Sequence, residues 1–208
     1  SVASRGLGDV YKRQICMIAL YSCSNQSSSL KESEKGKPVV MIFGDFKCSY
    51  CKKVEENVMS QLKKKYIDTN NVKFQYVNLA FLGKDSIIGS RAQHAVNHYA
   101  PKYSLQFQKS MFKQQQDEDK QWITEKLVDR QIDKLNISKE DKKAIKKDYK
   151  TNGSTSWKEA KKDQQIAKDN HIKQVPTAFV KGKKVEDPYH FSNCLLYTSD
   201  AADERSSV

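Results

Sequence analysis

An unbroken apolar run, Val39-Val40-Met41-Ile42-Phe43, stands just ahead of two cysteines in the order Cys48-Ser49-Tyr50-Cys51. Five residues of β-branched, aromatic and other apolar type, with no polar alternation, read as a strand buried on both faces. Gly44-Asp45-Phe46-Lys47 turns the chain, and Cys48 opens a helix. Along it Val54, Val58, Leu62 and Tyr66 recur at spacing four and mark one apolar face. Asn70-Asn71 breaks this helix. A second strand follows over Val72–Ala80, where Val72, Phe74 and Tyr76 alternate before Val77 and Leu79 shift the pattern. Strand, helix and strand in this compass make a βαβ unit, which implies a parallel pair with a right-handed crossover.

A different region begins at Gly83. Helices are expected over Asp85–Ala100, Lys102–Gln115, Trp122–Leu135 and Ser138–Lys150. Trp122, Ile123, Leu127, Val128, Ile132 and Leu135 form a stripe that reads as packing. Ser138 with Asp141 can cap one helix, and Ser156 with Glu159 fits the capping box of another. Strand signals return at Thr177-Ala178-Phe179-Val180, followed by a turn at Gly182 and by Lys184-Val185, a tight hairpin. The fold class is therefore α/β. A βαβ half (37–82) and a C-terminal half (166–193) share one sheet, with a helical insertion (83–165) between them.

At 208 residues the chain fits one domain, or one domain carrying an insertion. A charged share of 30% against 38% hydrophobic suits a small core with long solvated helices. The net charge of +12 invites a search for a nucleic-acid surface, but the lysines are interleaved with Asp and Glu. No aromatic-studded basic strand accompanies them. A solvated, lysine-rich surface is the better reading; nucleic acid is not an expected partner, and attraction to an anionic membrane surface stays compatible with the charge.

The ends differ from the rest. Residues 1–14 have no apolar periodicity, nor do residues 194–208, and no lysine follows Lys184. Both ends read as non-native sequence, native tails being the alternative, and Cys194 is assigned no role. Between the first end and the domain, residues 15–36 carry the short apolar run Ile15–Ser22, then Cys23 and the polar stretch Ser24–Ser29. The run is too short to span a bilayer. It reads as the end of a secretory signal with a lipobox-like Cys23 as the lipid-attachment residue, although Tyr21 stands where a small residue is more usual. Secretion without a lipid is the alternative. Either reading places the domain outside the cytoplasm, where disulfide chemistry is needed.

Five cysteines are too few for a disulfide-stapled scaffold of this length, and Cys16, Cys23 and Cys194 lie towards the ends. Cys48 and Cys51 therefore read as one working pair. A sulfur at a helix N-terminus meets unpaired N–H groups and partial positive charge, which favour the thiolate. Two intervening residues allow the second sulfur to return within disulfide reach. Cys48 is expected to be exposed and Cys51 shielded, with Lys47, Lys52 and Lys53 adding weak, screened positive charge. Two other uses of the motif stay open: half a zinc site, for which His94 and His98 are the best further ligands though far from the usual spacing, and a static disulfide. Val175-Pro176, directly before the strand Thr177–Val180, is placed beside the first strand by the sheet order. A cis bond there would turn the Val175 backbone towards the cysteines, free to pair with an extended peptide.

Three segments, Gly44–Cys51, Asn78–Ser86 and Val175–Phe179, resemble the DsbA-like branch of the thioredoxin superfamily, within it the lipid-anchored proteins of Gram-positive bacteria such as staphylococci. The resemblance covers about Lys37 to Phe191. It implies a thioredoxin fold with a helical insertion, Cys48 as the attacked sulfur, Cys51 as the resolving one and Pro176 as the cis-proline. It also implies an enzyme that is oxidised at rest and passes its disulfide to reduced exported proteins, with no metal or organic cofactor and with a reoxidant it does not identify. Ser49 and Tyr50 replace the Pro and His that often lie between such cysteines, and a C-terminal helix covering the sheet is expected to be lost after Phe191. A reductase or isomerase on the same fold, or a non-enzymatic peptide-binding lipoprotein, are the competing readings.

Overall fold

The structure, a computed structural model, describes residues 36–195. Cys23, its preceding apolar run and the stretch 1–14 lie outside the described residues, as do residues 196–208. Among the described residues no helix is long and apolar enough to cross a membrane.

Four strands form one mixed sheet in the order β2-β1-β3-β4. Strand β1 is Val39–Gly44 and β2 is Lys73–Asn78, parallel to it with Val39 opposite Lys73 and Gly44 opposite Asn78. Strand β3, Thr177–Val180, runs antiparallel to β1 on its other edge and pairs with β4, Lys183–Val185. The unbroken apolar run thus lies at the centre, and every residue of β1 is buried. Its side chains divide by parity. Val40 and Ile42 pack with Val54, Val58 and Leu62, while Val39, Met41 and Phe43 pack with Val77, Leu79 and Ala167. Lys181 (φ 51°) and Gly182 (φ 76°) join β3 to β4, and two consecutive positive φ values give the turn whose twist matches the flanking strands.

The helix after Cys48 runs through four consecutive segments: α1 (Ser49–Val54), a wide i→i+5 stretch (Glu55–Met59), α2 (Ser60–Leu62) and a second wide stretch (Lys63–Ile67). The spacing of its apolar residues explains the wide turns. In a regular α-helix each step of four overshoots a full turn by about 40°, so four such residues would spiral away from the sheet. Wide turns take up the excess, and Val54, Val58 and Leu62 stay buried on one face. Asn70, at φ 59°, ends the helix.

The insertion differs in detail from its sequence reading. Helix α3 is Ser86–Tyr99, and a 3₁₀ turn at Pro101–Tyr103 precedes α4, Ser104–Lys113. Helix α5 begins only at Glu125 and ends at Asp133, because the Thr124 side chain accepts the Leu127 N–H and sets the start there. Trp122 and Ile123 are buried, as the apolar stripe predicted, but from the loop before the helix. Ser138 caps α6 (Lys139–Lys150) by accepting from Asp141 N. The expected capping box at Ser156 is corrected: Ser154 caps α7 (Thr155–Asp169), and Ser156 lies inside it, its N–H donated to Asp148. Helix α7 runs unbroken across the predicted 165/166 border and packs on α3 and β2. Whether a longer C-terminal helix follows Phe191 lies outside the described residues, which end at Leu195. Helix α8 spans Phe191–Leu195, and Phe191 is held by the Tyr66 ring at 6.2 Å between centroids.

Candidate active site

Cys48 is the N-cap of α1. Its extended backbone (φ −70°, ψ 115°) turns the sulfur back over the helix end, where Sγ accepts the Cys51 N–H at 3.2 Å. Across from it lies the loop leading into β3. The Val175–Pro176 peptide is cis, and the Cys48 thiol faces the Val175 carbonyl oxygen at 3.6 Å. Sheet order brings them together, since β3 lies beside β1 with Thr177 opposite Phe43. No hydrogen bond among the described residues uses the Val175 N–H.

Both cysteines are free thiols. Cys48 was expected to be exposed, but it is only 4% exposed, close to the 3% of Cys51. The correction has a plain cause: the Val175 loop closes over the helix end and packs into the same apolar cluster as both cysteines. Surface is offered instead by Tyr50, at 55%, whose ring has Lys53 Nζ 4.9 Å from its centroid and the Tyr189 ring at 6.4 Å.

The two thiols are driven in opposite directions. A hydrogen bond from the Cys51 thiol does most to pull Cys48 below the ordinary cysteine range, helped by the Cys51 and Tyr50 N–H groups. Burial and Glu118 work against it. Burial pushes Cys51 far up, and its hydrogen bond to Cys48, together with the charge Cys48 carries as a thiolate, adds to the rise. One sulfur is thus prepared to be an anion at the helix end and the other to keep its proton beneath it.

A polar frame that sequence reading missed holds the turn ahead of Cys48. Asp45 is fully buried, and its carboxylate accepts four hydrogen bonds: Lys47 N–H and Ser86 Oγ–H on Oδ1, and the Phe81 and Leu82 N–H groups on Oδ2. Its carbonyl takes the Cys48 N–H, and Gln115 Nε2 donates to the Phe46 carbonyl at 2.7 Å. Lys47 was read as an exposed, screened charge. That is corrected too: it is 2% exposed and bonded to Asp85 Oδ1, because Asp85 offers it a buried partner across the turn. The available signal was the Asn78–Ser86 segment, where Asp85 and Ser86 follow a strand end without any apolar period.

His94 and His98 are not brought together as ligands. His94 Nε2 lies 2.9 Å from Asp163 Oδ2, and His98 stacks edge-on against Tyr99. Among the described residues no group of three or more His, Cys, Asp or Glu gathers in metal-binding geometry.

A family model described as Thioredoxin matches residues 32–195. The chain is 30% identical over 168 residues to the probable disulfide bond formation protein D of Bacillus anthracis, covering 78% of this chain and 73% of that one. It is 28% identical over 174 residues to disulfide bond formation protein D of Bacillus subtilis, covering 78% and 76%. The fold is similar to that of oxidised BdbD from Bacillus subtilis, with a TM-score of 0.71 at 23% identity over 83% of this chain and 91% of that one.

Proposed function

Because this chain belongs to the thioredoxin family, and within it to the DsbA-like thiol–disulfide oxidoreductases that form disulfide bonds, we propose that it works through Cys48 and Cys51, with Val175 and Pro176 seating the substrate. The observation that carries this assignment is the Cys48 sulfur at the start of α1, taking the Cys51 N–H on one side and facing the Val175 carbonyl on the other.

In the oxidised enzyme the two sulfurs are bonded. A substrate thiolate attacks Cys48 Sγ. The Cys48–Cys51 bond breaks, its electron pair goes to Cys51, and a substrate–Cys48 disulfide forms. A second substrate thiolate then attacks the substrate sulfur of that bond, and Cys48 leaves as a thiolate. Two electrons have passed to the enzyme, and the substrate holds a new disulfide. The groups that pull Cys48 below the ordinary cysteine range stabilise this leaving thiolate, and so favour the reduced enzyme and donation of the disulfide. The unpaired Val175 N–H suits an extended substrate segment, which can bond to it as an added strand would.

The substrates on this reading are reduced exported proteins, and the enzyme works outside the cytoplasm, tethered to the membrane surface by a lipid on Cys23. The high surface charge is compatible with that placement. Redox titration of the Cys48/Cys51 couple, run beside refolding of a reduced model protein, tests the assignment. We expect an oxidising couple and restored refolding yield, with Cys48→Ser inactive. A Cys48→Ser protein that still oxidises thiols would refute it, and a potential well below that of the compartment would point to a reductase.

A further inference from the structure

A groove of about 530 Å³ between the long helix after Cys48 and the start of α4 has no part in the exchange reaction. Its floor is apolar: Met59 is buried, and Tyr103 and Leu105 are half-buried. Its rim is cationic, formed by Lys63, Lys64, Lys102 and Lys109. Two carboxylates also border it, and neither cancels that rim. Asp68 is spent on Lys63, whose Nζ lies 2.6 Å from both of its oxygens. Glu55 is buried in the inner wall, where Gln108 Nε2 donates to its Oε2 at 2.8 Å, and the lysine whose charge reaches it is Lys109. Lys64 and Lys102 are exposed and make no ion pair among the described residues. Free ammonium groups above an apolar floor suit an anionic amphiphile. The lysine heads meet phosphate, while their carbon stems and the floor meet glycerol and acyl carbon.

The groove opens towards one particular end of the molecule. Cys48 starts its helix at the C-terminal end of β1. The helix then runs back alongside the sheet until Lys73 begins β2 opposite Val39, its N–H donated to the Pro38 carbonyl. Lys63 and Lys64 therefore lie towards the end where the chain enters at Pro38, roughly 20 Å from Cys48 at about 1.5 Å per helical residue. Helix α4 is oriented likewise. Just past its last turn Gln115 reaches the Phe46 carbonyl beside Cys48, so Lys102, ahead of its first turn, lies at the end away from the cysteines. Gly36, the first described residue, is thirteen positions after Cys23. Such a length spans at most about 45 Å. A lipid on Cys23 would keep the groove within reach of a bilayer without fixing which face meets it.

We propose that this groove seats the headgroup of an anionic phospholipid, its phosphate among Lys64, Lys102 and Lys109 and its glycerol and first acyl carbons against Met59 and Leu105. The inference rests on the membrane-surface placement proposed above and adds an orientation to it. The domain docks by the end where the chain enters, and Cys48 and the Val175 loop face away from the bilayer, open to exported substrates. Net charge alone does not give this result. Lysines cover other faces too, such as Lys139, Lys143 and Lys147 on α6, which are exposed. Helix α6, however, packs on α3, α5 and α7 and takes no part in the groove.

The test uses the full chain carrying Cys23→Ala, so that no acyl chain contributes, with vesicles of phosphatidylglycerol and phosphatidylcholine at physiological salt. The protein should sediment with these vesicles and not with phosphatidylcholine alone. A lysine at an anionic membrane surface contributes about fivefold in affinity, from about 1 kcal/mol. Lys64→Gln, Lys102→Gln and Lys109→Gln together should therefore weaken binding on the order of a hundredfold. Lys139→Gln, Lys143→Gln and Lys147→Gln together make the same change in charge and should weaken it by less than about fivefold. On the vesicles Lys64 and Lys102 should be shielded from acetylation, while Cys48 of the reduced protein reacts with a soluble maleimide at its solution rate, both read by mass spectrometry. Absent sedimentation, or equal losses in the two triple variants, overturns the proposal, the latter by reducing the effect to diffuse attraction. Release from the vesicles by soluble glycerol phosphate overturns it too, making a free phosphate the occupant, as does a Cys48 that the membrane blocks. Thiol exchange assayed in solution is independent of all these outcomes, so its failure would refute the assignment of Cys48 and Cys51 and leave the docking result standing.

Discussion

Lys47 Nζ and Asp85 Oδ1 meet at 2.9 Å, one residue ahead of Cys48, with side-chain exposures of only 2% and 8%. The other oxygen of Asp85 accepts the Ile123 N–H at 2.9 Å, so one carboxylate ties the turn before Cys48 to the loop that enters α5. Removing one member of a buried ion pair leaves the other charged and unpaired, at a cost of about 3–5 kcal/mol. Lys47→Met should lower stability by about that much in urea denaturation. The double change Lys47→Met with Asp85→Asn should recover part of it, because the asparagine side chain is neutral and its amide oxygen can still accept from Ile123. Equal losses in the single and double variants would mean the pair itself is not what matters.

The same pair predicts a response to acid. Burial pushes the Asp85 carboxyl up, but hydrogen bonds from Lys47 and Ile123 N outweigh it and hold the group below its ordinary value. A carboxyl lowered in the folded state stabilises fully above the unfolded value of about 3.9 and loses that contribution as pH falls through the lower folded value. Denaturation midpoints taken from pH 6 down to pH 2 should therefore fall more steeply for the wild type than for Asp85→Asn. Parallel curves would contradict this.

For Cys48, the strongest influence lowering the thiol is the hydrogen bond from the Cys51 thiol. Cys51→Ala removes that donor and keeps the N–H of residue 51, so the Cys48 thiolate should form at higher pH in the variant. Each unit of rise corresponds to about 1.4 kcal/mol less favour for the thiolate. The sign for stability is that of an acid lowered by folding. The reduced wild type gains a contribution that is full above the unfolded cysteine value of about 8.5 and fades as pH falls through the lower folded value. Thiolate absorbance followed through a pH titration reads the shift directly, and an unchanged curve would show that the backbone N–H groups suffice.

Much of this was legible in advance. A wholly apolar run has to be a strand covered on both faces, and β1 is one. The hairpin was readable from the run Thr177–Val180, the turn at Gly182 and Lys184-Val185 after it, and Ser138 was readable as a cap because its chemistry is local. The polar frame was not. Asp45 meets Ser86, Phe81 and Leu82, and Glu55 meets Gln108, across separations that no short-range pattern encodes. A buried lysine such as Lys47 looks like its many solvated neighbours until its partner is in place. The exposure of Cys48 was misjudged for the same reason, since the cover comes from Val175, far away in sequence.

Glu55 carries a stability cost that can be measured. Its carboxyl is raised by burial, more than Gln108 and Lys109 lower it. A carboxyl raised in the folded state contributes stability that is present below the unfolded value of about 4.3 and lost as pH rises through the higher folded value. Glu55→Gln stays neutral throughout. It should melt a few degrees above the wild type at pH 8, with the difference shrinking towards pH 4. A gap that persists unchanged at pH 4 would place its origin in packing rather than charge.

Gly89 gives a prediction against ordinary helix propensity. An exposed helix-interior glycine changed to alanine gains roughly 1 kcal/mol. Gly89 lies within α3 and is buried, and a Cβ there would come within 2.8 Å of Phe46 Cδ2 and 3.5 Å of Ile123 Cγ2. The Phe46 ring has little freedom to withdraw. It is fully buried, lies 6.1 Å from the Tyr76 ring and 5.1 Å from the Phe112 ring, and its carbonyl is held by Gln115. Overpacking of this kind costs about 1–3 kcal/mol and exceeds the propensity gain. Since Phe46 precedes Cys48 by two residues, the strain should reach the helix start as well. Gly89→Ala is therefore expected to lower the denaturation midpoint and to change the Cys48 alkylation rate together. A midpoint equal to or above that of the wild type would show that Phe46 has somewhere to go.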